Sequence, residues 1–281
     1  MTLRIAIVAD IHHGAPSYTK RGDAALELMA EFAAFVADAR PDLVLDLGDR
    51  ISDVDRDTDL RLQAEVAEAF RAVSAPVHHI CGNHDHDHLS VAENAEILGQ
   101  PMASETLDLD GWRIALWRAD ARFHRDRATP GFDLPEPDLL WLSRMAQATD
   151  RPTLVVSHVP FSGHAQTGNY YFERNAQFAT YPQAARARAA IAHAGQPIVC
   201  LAGHVHWNTV TPVDGITHLT QQSLTESFTT QGAPAGAYAL MELSDTVHWQ
   251  VFGSDPLELR LTPRASRWTP PVGPFTLEAM R

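Results

Sequence analysis

Leu3-Arg4-Ile5-Ala6-Ile7-Val8-Ala9-Asp10-Ile11-His12 sets a pattern that the chain repeats: an apolar run of strand length delivers a carboxylate and an imidazole at its C-terminal end. Four later runs do the same. Residues 43–47 lead to Gly48 and Asp49, 77–81 to Gly82, Asn83, His84 and Asp85, 153–157 to His158, and 198–202 to Gly203, His204, Val205 and His206. Short apolar runs bounded by Gly or Asp read as strands, and helical patterns lie between most of them, so the fold class is α/β. Strands that run the same way in a sheet end at one edge, and five such ends would gather dispersed positions into one crevice.

The intervening segments fit this frame. Ala25, Leu28, Met29, Phe32, Phe35, Val36 and Ala39 recur at three- and four-residue spacing, predicting a helix with Asp23 as its N-cap and its end before Pro41. A second helix is expected over 57–72, with Leu62, Val66, Ala69, Phe70 and Val73 inward, a third over 137–148, with Leu139, Leu142 and Met145 inward, and an Ala- and Arg-rich one over 182–194. Asp110-Gly111 between 107–109 and 112–117 marks a tight hairpin, because its residues tolerate positive φ. Further short strands are expected near 217–219, 238–243, 247–251 and 257–261. We read residues 1–262 as one domain and 263–281, with Pro263, Pro270, Pro271 and Pro274, as an extended arm.

Composition narrows the function. With 281 residues, 45% of them hydrophobic, the chain can build a substantial core. A net charge of -13 argues against a nucleic-acid polymer as partner, since such proteins gain affinity by releasing counterions with Lys and Arg. Any phosphate bound here would need metal cations to hold it. No apolar stretch approaches membrane-spanning length, and the N-terminal residues lack a secretory pattern. Two cysteines, Cys81 and Cys200, cannot build a disulfide framework and read as buried thiols in a reducing compartment, so a cytoplasmic location is expected.

Fifteen histidines, many beside Asp, Asn or Gly, turn attention to metal. Asp10, His12, Asp49 and His206 would supply mixed oxygen and nitrogen donors to one ion. Asn83, His158, His204 and a shared Asp49 carboxylate would serve a second. If locally extended, Asp10-Ile11-His12 and His204-Val205-His206 each present both outer members to one side. Gly48, Gly82 and Gly203 allow sharp turns where a bulkier residue would crowd the site. Two ions ~3.5–4 Å apart would acidify a bridging water and hold the attacking and leaving oxygens of an in-line displacement. His84, not needed as a ligand, could donate a hydrogen bond or proton to ester oxygens.

The series Asp-x-His, Gly-Asp, Gly-Asn-His-Asp, His and Gly-His-x-His, in this order, resembles the calcineurin-like metallophosphoesterases over residues 3–207. The resemblance implies a four-layer α/β/β/α sandwich of two mixed sheets flanked by helices. It implies Asp10, His12, Asp49, Asn83, His158, His204 and His206 as metal ligands, His84 as the phosphate-facing acid, and two ions drawn from manganese, iron or zinc. Family members often carry a second Asp three residues after the bridging one; here Ser52 stands there with Asp53 beside it, and the orienting partner of His84 stays open. The expected activity is metal-dependent hydrolysis of a small phosphodiester, such as a cyclic nucleotide or glycerophosphodiester. A phosphomonoesterase and a catalytically silent scaffold of the same fold are the alternatives, and a homo-oligomer is compatible with either.

Neighbouring residues receive blander readings. His13, His78, His79, His86 and His88 lie outside the ligand pattern and are expected to support a ligand or face solvent. Residues 164–181, with Tyr170, Tyr171, Phe172, Arg174 and Phe178, form either a substrate cap or a packed loop. Trp207 is assigned to the pocket lining, Asp53, Asp55, Asp57 and Asp59 to a solvated loop before a helix, and Arg122, Arg125 and Arg127 to a surface loop.

Overall fold

Ile5 and Ile7 of strand β1 (Leu3–Val8) point to one side of the strand and Ala6 and Val8 to the other, yet all four are fully buried. A strand with two apolar faces must lie in a sheet covered on both sides. The computed structural model, which describes residues 2–266, 269, 272–274 and 276, shows what covers each. β1 runs parallel to β2 (Leu43–Asp46), which runs parallel to β3 (Val77–His79). On the other side of β1 the sheet continues antiparallel through β10 (Tyr238–Leu243), β11 (Val247–Phe252) and β12 (Leu257–Leu261). The second sheet has the order β4 (Glu105–Leu109), β5 (Trp112–Leu116), β6 (Thr153–Ser157), β7 (Ile198–Ala202), β9 (Ile216–Thr220) and β8 (Thr209–Val213). Its inner strands β5, β6, β7 and β9 are parallel, and both edge strands are antiparallel.

The two sheets share one core, in which Ile5, Ile7, Leu45 and Trp249 of the first meet Leu116, Val156 and Leu201 of the second. On the outer face of the first sheet, Ala6, Val8 and Val44 pack on Met29, Phe32 and Val36 of α1 (Ala25–Ala39) and on Val66 and Phe70 of α2 (Arg56–Arg71). On the outer face of the second, Ala115, Val155 and Cys200 meet Leu139 and Leu142 of one helix and Ala187 and Ile191 of another. Burying each such side chain contributes ~1.5–3 kcal/mol, which is why the strands read as unbroken apolar runs. The arrangement is the expected four-layer sandwich of two mixed sheets.

Several expected boundaries shift for identifiable reasons. Asp23 does not cap α1: it lies in a short 3-10 turn (Gly22–Ala24), and the helix N-cap is Ala24 with no side-chain hydrogen bond. Arg40 closes α1 in the left-handed conformation (φ 49°) just before Pro41. α2 begins one residue early because Asp55 caps it, accepting from the Thr58 N–H at 2.9 Å. A helix the pattern missed, α3 (Val91–Leu98), is announced by the capping box of Ser90 and Glu93 and by Gly99 at its end. The helices over the second sheet are α4 (Glu136–Ala148) and α5 (Ala184–Ile191). Strand β8 was also missed; its Pro212 is tolerated because the strand is an edge. The hairpin at Asp110 (φ 44°) and Gly111 (φ 84°) forms as expected. Of the arm, residues 263–266 have no regular structure and Ser266 donates to the Asp214 carbonyl at 2.7 Å; most of the remainder lies outside the described residues. Among the described residues no helix is long and apolar enough to cross a membrane.

Candidate metal centre

Strand register sets the site. Val8 pairs with Asp46 and Asp46 with His79 in the first sheet, while Ser157 pairs with Ala202 in the second, so within each sheet the ends of these strands are level. The crevice is therefore built by two facing sheets, with three strand ends from one and two from the other. Backbone bonds lock the loops together: Asp10 N–H donates to Gly48 O and His12 N–H to Asp49 O, both at 2.9 Å, and His204 N–H donates to both Asp10 carboxylate oxygens at 3.0 Å.

The expected extended backbone is not how the paired residues converge. Asp10 (φ 51°), His12 (48°), Asp49 (53°), His204 (70°) and His206 (55°) all adopt the left-handed conformation, while Ile11 and Val205 between them are buried. This conformation costs ~1–2 kcal/mol per non-glycine residue, and such strain persists where the surrounding structure imposes it. The turns re-aim alternate side chains inward as extended chain would. Gly82 is required by proximity, since a Cβ there would lie 2.1 Å from the Asp49 Oδ1 atom. Gly48 (φ 94°) packs against it, and a Cβ on Gly48 would lie 2.4 Å from the Gly82 nitrogen.

The structure brings two groups of donors together, Asp10, His12, Asp49 and His206 in one and Asp49, His158 and His204 in the other, with donor atoms within 4.8 Å of one another in each. Asn83 joins the second group, its Oδ1 lying 3.4 Å from His158 Nε2. The surroundings select the tautomers. His158 Nδ1 donates to the Leu47 carbonyl at 2.8 Å, which turns Nε2 toward Asp49 Oδ2 at 3.3 Å and the Asn83 oxygen, the atom that would meet an ion. His206 Nδ1 is held by Glu226 at 2.8 Å, so its Nε2 faces His12 Nε2 at 2.9 Å. His204 Nε2 donates to the Phe178 carbonyl at 2.9 Å, which frees Nδ1. Acceptors converge on acceptors, and His12 Nδ1 is buried without a partner. Such a set is suited to cations at its centres, so these residues fit two metal ions.

The same crowding shifts the titrations, a proton on His158 standing in for the charge of an ion. Burial drives the Asp10 carboxyl well above its usual pKa, and the nearby Asp49 charge adds to this while His158 opposes it. Burial would also raise Asp49, but the charge of His158 and then of His84 outweighs it and holds Asp49 well below the carboxylate range. Burial disfavours the charged form of His158, yet Asp49 and Asp10 push it up to about 9. His204, buried beside His158, is lowered to about 3.

A supporting layer lies beneath. Arg50, fully buried, binds Asp46 at 2.7 Å and Asp85 at 2.9 Å, and Asp85 accepts the Asp49, Arg50 and Gly82 N–H groups. Asp85 thus fixes the Asp49 turn instead of joining the donor groups. Only the sequence position of Glu226, Arg50 and Asp46 was visible beforehand; their roles need the folded chain.

His84 lies on the cavity wall with its backbone N–H on Asp49 Oδ1 at 2.8 Å, and its Nδ1 is in close contact with Asp53. Asp53 is thus the partner of the His84 ring. Ser52 turns to the backbone, bonding the His12 carbonyl at 3.2 Å, and Asp53 makes the contact. Burial would raise the Asp53 carboxyl, but its bond to His84 holds it below the usual range. The Asp53–Asp59 tract is therefore not simply solvated, since Asp53 holds His84, Asp55 caps α2, and Asp59 is buried and accepts from Val54 N–H at 2.9 Å. Asp53, His84 and Asp87 also cluster, but the Arg125 guanidinium covers Asp87 at 2.5 Å, so that group is balanced from within.

A cavity of about 200 Å³ opens over Asp49, His84 and His206, and Tyr171, Phe172 and Phe178 of residues 164–181 line it with Phe123. Arg125 reaches this cavity, whereas Arg122 and Arg127 pair with Asp120 and Asp133 on the surface. Trp207 does not line it; the ring lies near Gly168. His13 and His79 take supporting partners, Glu65 at 2.6 Å and Asp46 at 2.8 Å. A larger groove, about 410 Å³, runs beside Phe70, His78 and Gln100 and is lined by neither donor group.

The calcineurin-like phosphoesterase family model matches residues 3–208. No curated protein matches the chain. Among solved structures, the chain is similar to a dimetal phosphatase from Danio rerio at 16% identity and a TM-score of 0.73, with 92% of this chain and 98% of that one covered. It is also similar to TT1561 of Thermus thermophilus at 13% identity and a TM-score of 0.53, with 91% and 100% covered. At these identities the likeness is one of fold. The family match, however, spans most of the chain and takes in every member of both donor groups, and this protein therefore belongs to the calcineurin-like phosphoesterase family.

Proposed function

We propose that the protein is a two-metal phosphoesterase acting on a small phosphodiester, with Asp10, His12, Asp49 and His206 holding one ion and Asp49, Asn83, His158 and His204 the other. The observation that carries this reading is the sharing of Asp49 between two donor groups whose lone pairs face one another. When bound, such a pair of ions supplies an acidified water and neutralises charge on the phosphoryl oxygens. The remaining work belongs to side chains. His84 donates a proton to the departing oxygen, and Asp53 keeps its ring aimed by taking up Nδ1. Glu226 and the Leu47 and Phe178 carbonyls hold the ligand imidazoles in the tautomer that presents a lone pair. Tyr171, Phe172 and Phe178 give a flat organic substituent an apolar wall and exclude water.

The preference for a diester rests on space. A second groove of about 470 Å³, lined by Pro16, Tyr18 and Val54, shares the walls Lys20, His84, Arg125 and Tyr171 with the first cavity. Room on both sides of His84 suits a phosphate with two substituents. Cys81 and Cys200, buried and unpaired, support a reducing, cytoplasmic setting. The test is hydrolysis of bis-p-nitrophenyl phosphate and p-nitrophenyl phosphate by protein reconstituted with manganese, iron or zinc, followed by cyclic nucleotides and glycerophosphodiesters. A higher kcat/KM for the diester is expected. A faster monoester would reverse the preference, and no turnover with two ions bound would leave a silent scaffold.

A further inference from the structure

Lys20 is the only lysine among 22 Lys and Arg residues, so at every other position where this chain places one of these cations it uses a guanidinium. The exception lies in the cleft. Its root is rigid: Ser17 and Lys20 exchange backbone hydrogen bonds at 3.1 and 2.9 Å, Arg21 N–H donates to the Thr225 carbonyl at 2.9 Å, and the Thr19 hydroxyl meets that of Tyr171 at 2.8 Å. Lys20 is 7% exposed and lines both the aromatic cavity and the adjoining groove. Among the described residues its ammonium has no hydrogen-bond or ion-pair partner. Asp49, Asp53, Glu226 and Asp10 act on it only through space. Arg125, the other cation on the same walls, is committed to Asp87.

Desolvating an ammonium without a partner costs several kcal/mol, and a rigid scaffold retains it when something else repays the loss. Lysine is also the cation suited to a narrow place, being a compact point charge where arginine presents a broad planar fork. We infer that Lys20 is a substrate-binding residue whose ammonium takes a non-bridging oxygen of the phosphoryl group seated over the two donor groups. The assignment rests on the phosphoesterase reading above and sharpens its substrate class. The site requires a ligand with a full anionic oxygen between the metal donors and Lys20, which a neutral carboxyl ester lacks. The rival account makes Lys20 a structural counter-charge to Asp10, Asp49 and Glu226.

A single lysine makes the test direct. In protein labelled with ¹³C at the lysine ε-carbon and loaded with diamagnetic zinc, one lysine signal is observed, and inorganic phosphate is titrated while calorimetry measures its affinity independently. The signal should shift saturably with the calorimetric Kd. Lys20→Met should weaken phosphate binding at least fivefold, with zinc content retained and Tm unchanged or higher. A signal that stays still at saturating phosphate, a smaller loss of affinity, or a variant that loses zinc, melts lower or fails to fold would each overturn the assignment, the last group in favour of the counter-charge. Wild-type zinc protein that binds no phosphate would instead remove the phosphoesterase reading on which the assignment rests.

Discussion

Two buried carboxylate clusters sit side by side at the ends of the same strands, and they are neutralised in opposite ways. Asp46 and Asp85 close around Arg50, whose guanidinium reaches both, while His79 and the Gly48, Asp49, Arg50 and Gly82 N–H groups take up the remaining oxygen lone pairs. Burial alone would raise Asp46, but Arg50 and His79 hold it down, and the two carboxylates in turn raise Arg50 despite its burial. Asp10 and Asp49, by contrast, face imidazoles whose protonated nitrogens are already spent on Leu47, Phe178 and Glu226. No arginine or lysine among the described residues pairs with either. A cluster that supplies its own cation is structural, whereas one of inward-facing imidazoles and carboxylates with no guanidinium or ammonium bound to it is suited to a cation from outside.

Substitutions can break or sharpen this contrast. Asp49→Asn should have the largest consequence, lowering kcat/KM on the order of 10³-fold or more and reducing bound metal below two ions per chain, because one carboxylate serves both donor groups. Elemental analysis with steady-state kinetics checks it; full activity would remove the shared role. Arg50→Met should act on the other cluster and leave two buried carboxylates without their guanidinium, at a cost of ~3–5 kcal/mol in urea unfolding whether or not metal is present. A loss below about 1 kcal/mol would mean that the closed cluster is not what holds the loop. His84→Ala should lower kcat ~10²-fold with metal content unchanged, and Asp53→Asn should lower it less, ~10-fold, since Asp53 acts through His84. Equal losses in the two variants would contradict that order. Both effects should grow as the leaving group becomes more basic.

The smallest effect calibrates the rest. His218 is buried in β9, outside both clusters, with Nε2 unpartnered, and burial lowers its pKa to about 4. The unfolded chain binds a proton near pH 6.5 that the folded chain refuses, so this residue's contribution to stability is constant above that pH. Stability is lost as pH falls from about 6.5 toward 4, by at most ~1.4 kcal/mol per pH unit. Urea midpoints measured on His218→Gln between pH 7 and 5 should show a shallower slope than wild type; parallel curves would count against it.

The strands and their chemistry were legible because they are written locally. The runs ending at Asp10, Asp49, Asn83, His158 and His204 alternate with helix-period segments, and the folded chain keeps every one of those strands. Reading failed where the signal was short or depended on position. α3 was overlooked although Ser90 and Glu93 spell a capping box, because eight residues carry too little periodicity to stand out. Trp207, expected in the pocket lining, is not among the residues that line the cavity, and its ring lies near Gly168 of the 164–181 segment. Asp53 could be named as a neighbour but not as the partner of His84, since that depends on Ser52 turning to the His12 carbonyl.

By itself the amino-acid order determined the architecture and the side chains gathered at the candidate metal centre, because strand length, residue period and the residue at each strand end are all local properties. Only the tertiary structure decided which nitrogen each histidine presents, that Arg50 closes one carboxylate cluster while its neighbour stays without a cation of its own, and that the single lysine faces the cleft. Those outcomes depend on Glu226, the Leu47 and Phe178 carbonyls and the turn at Ser17, groups brought to the site from distant parts of the chain, and proton placement responds to neighbours in space.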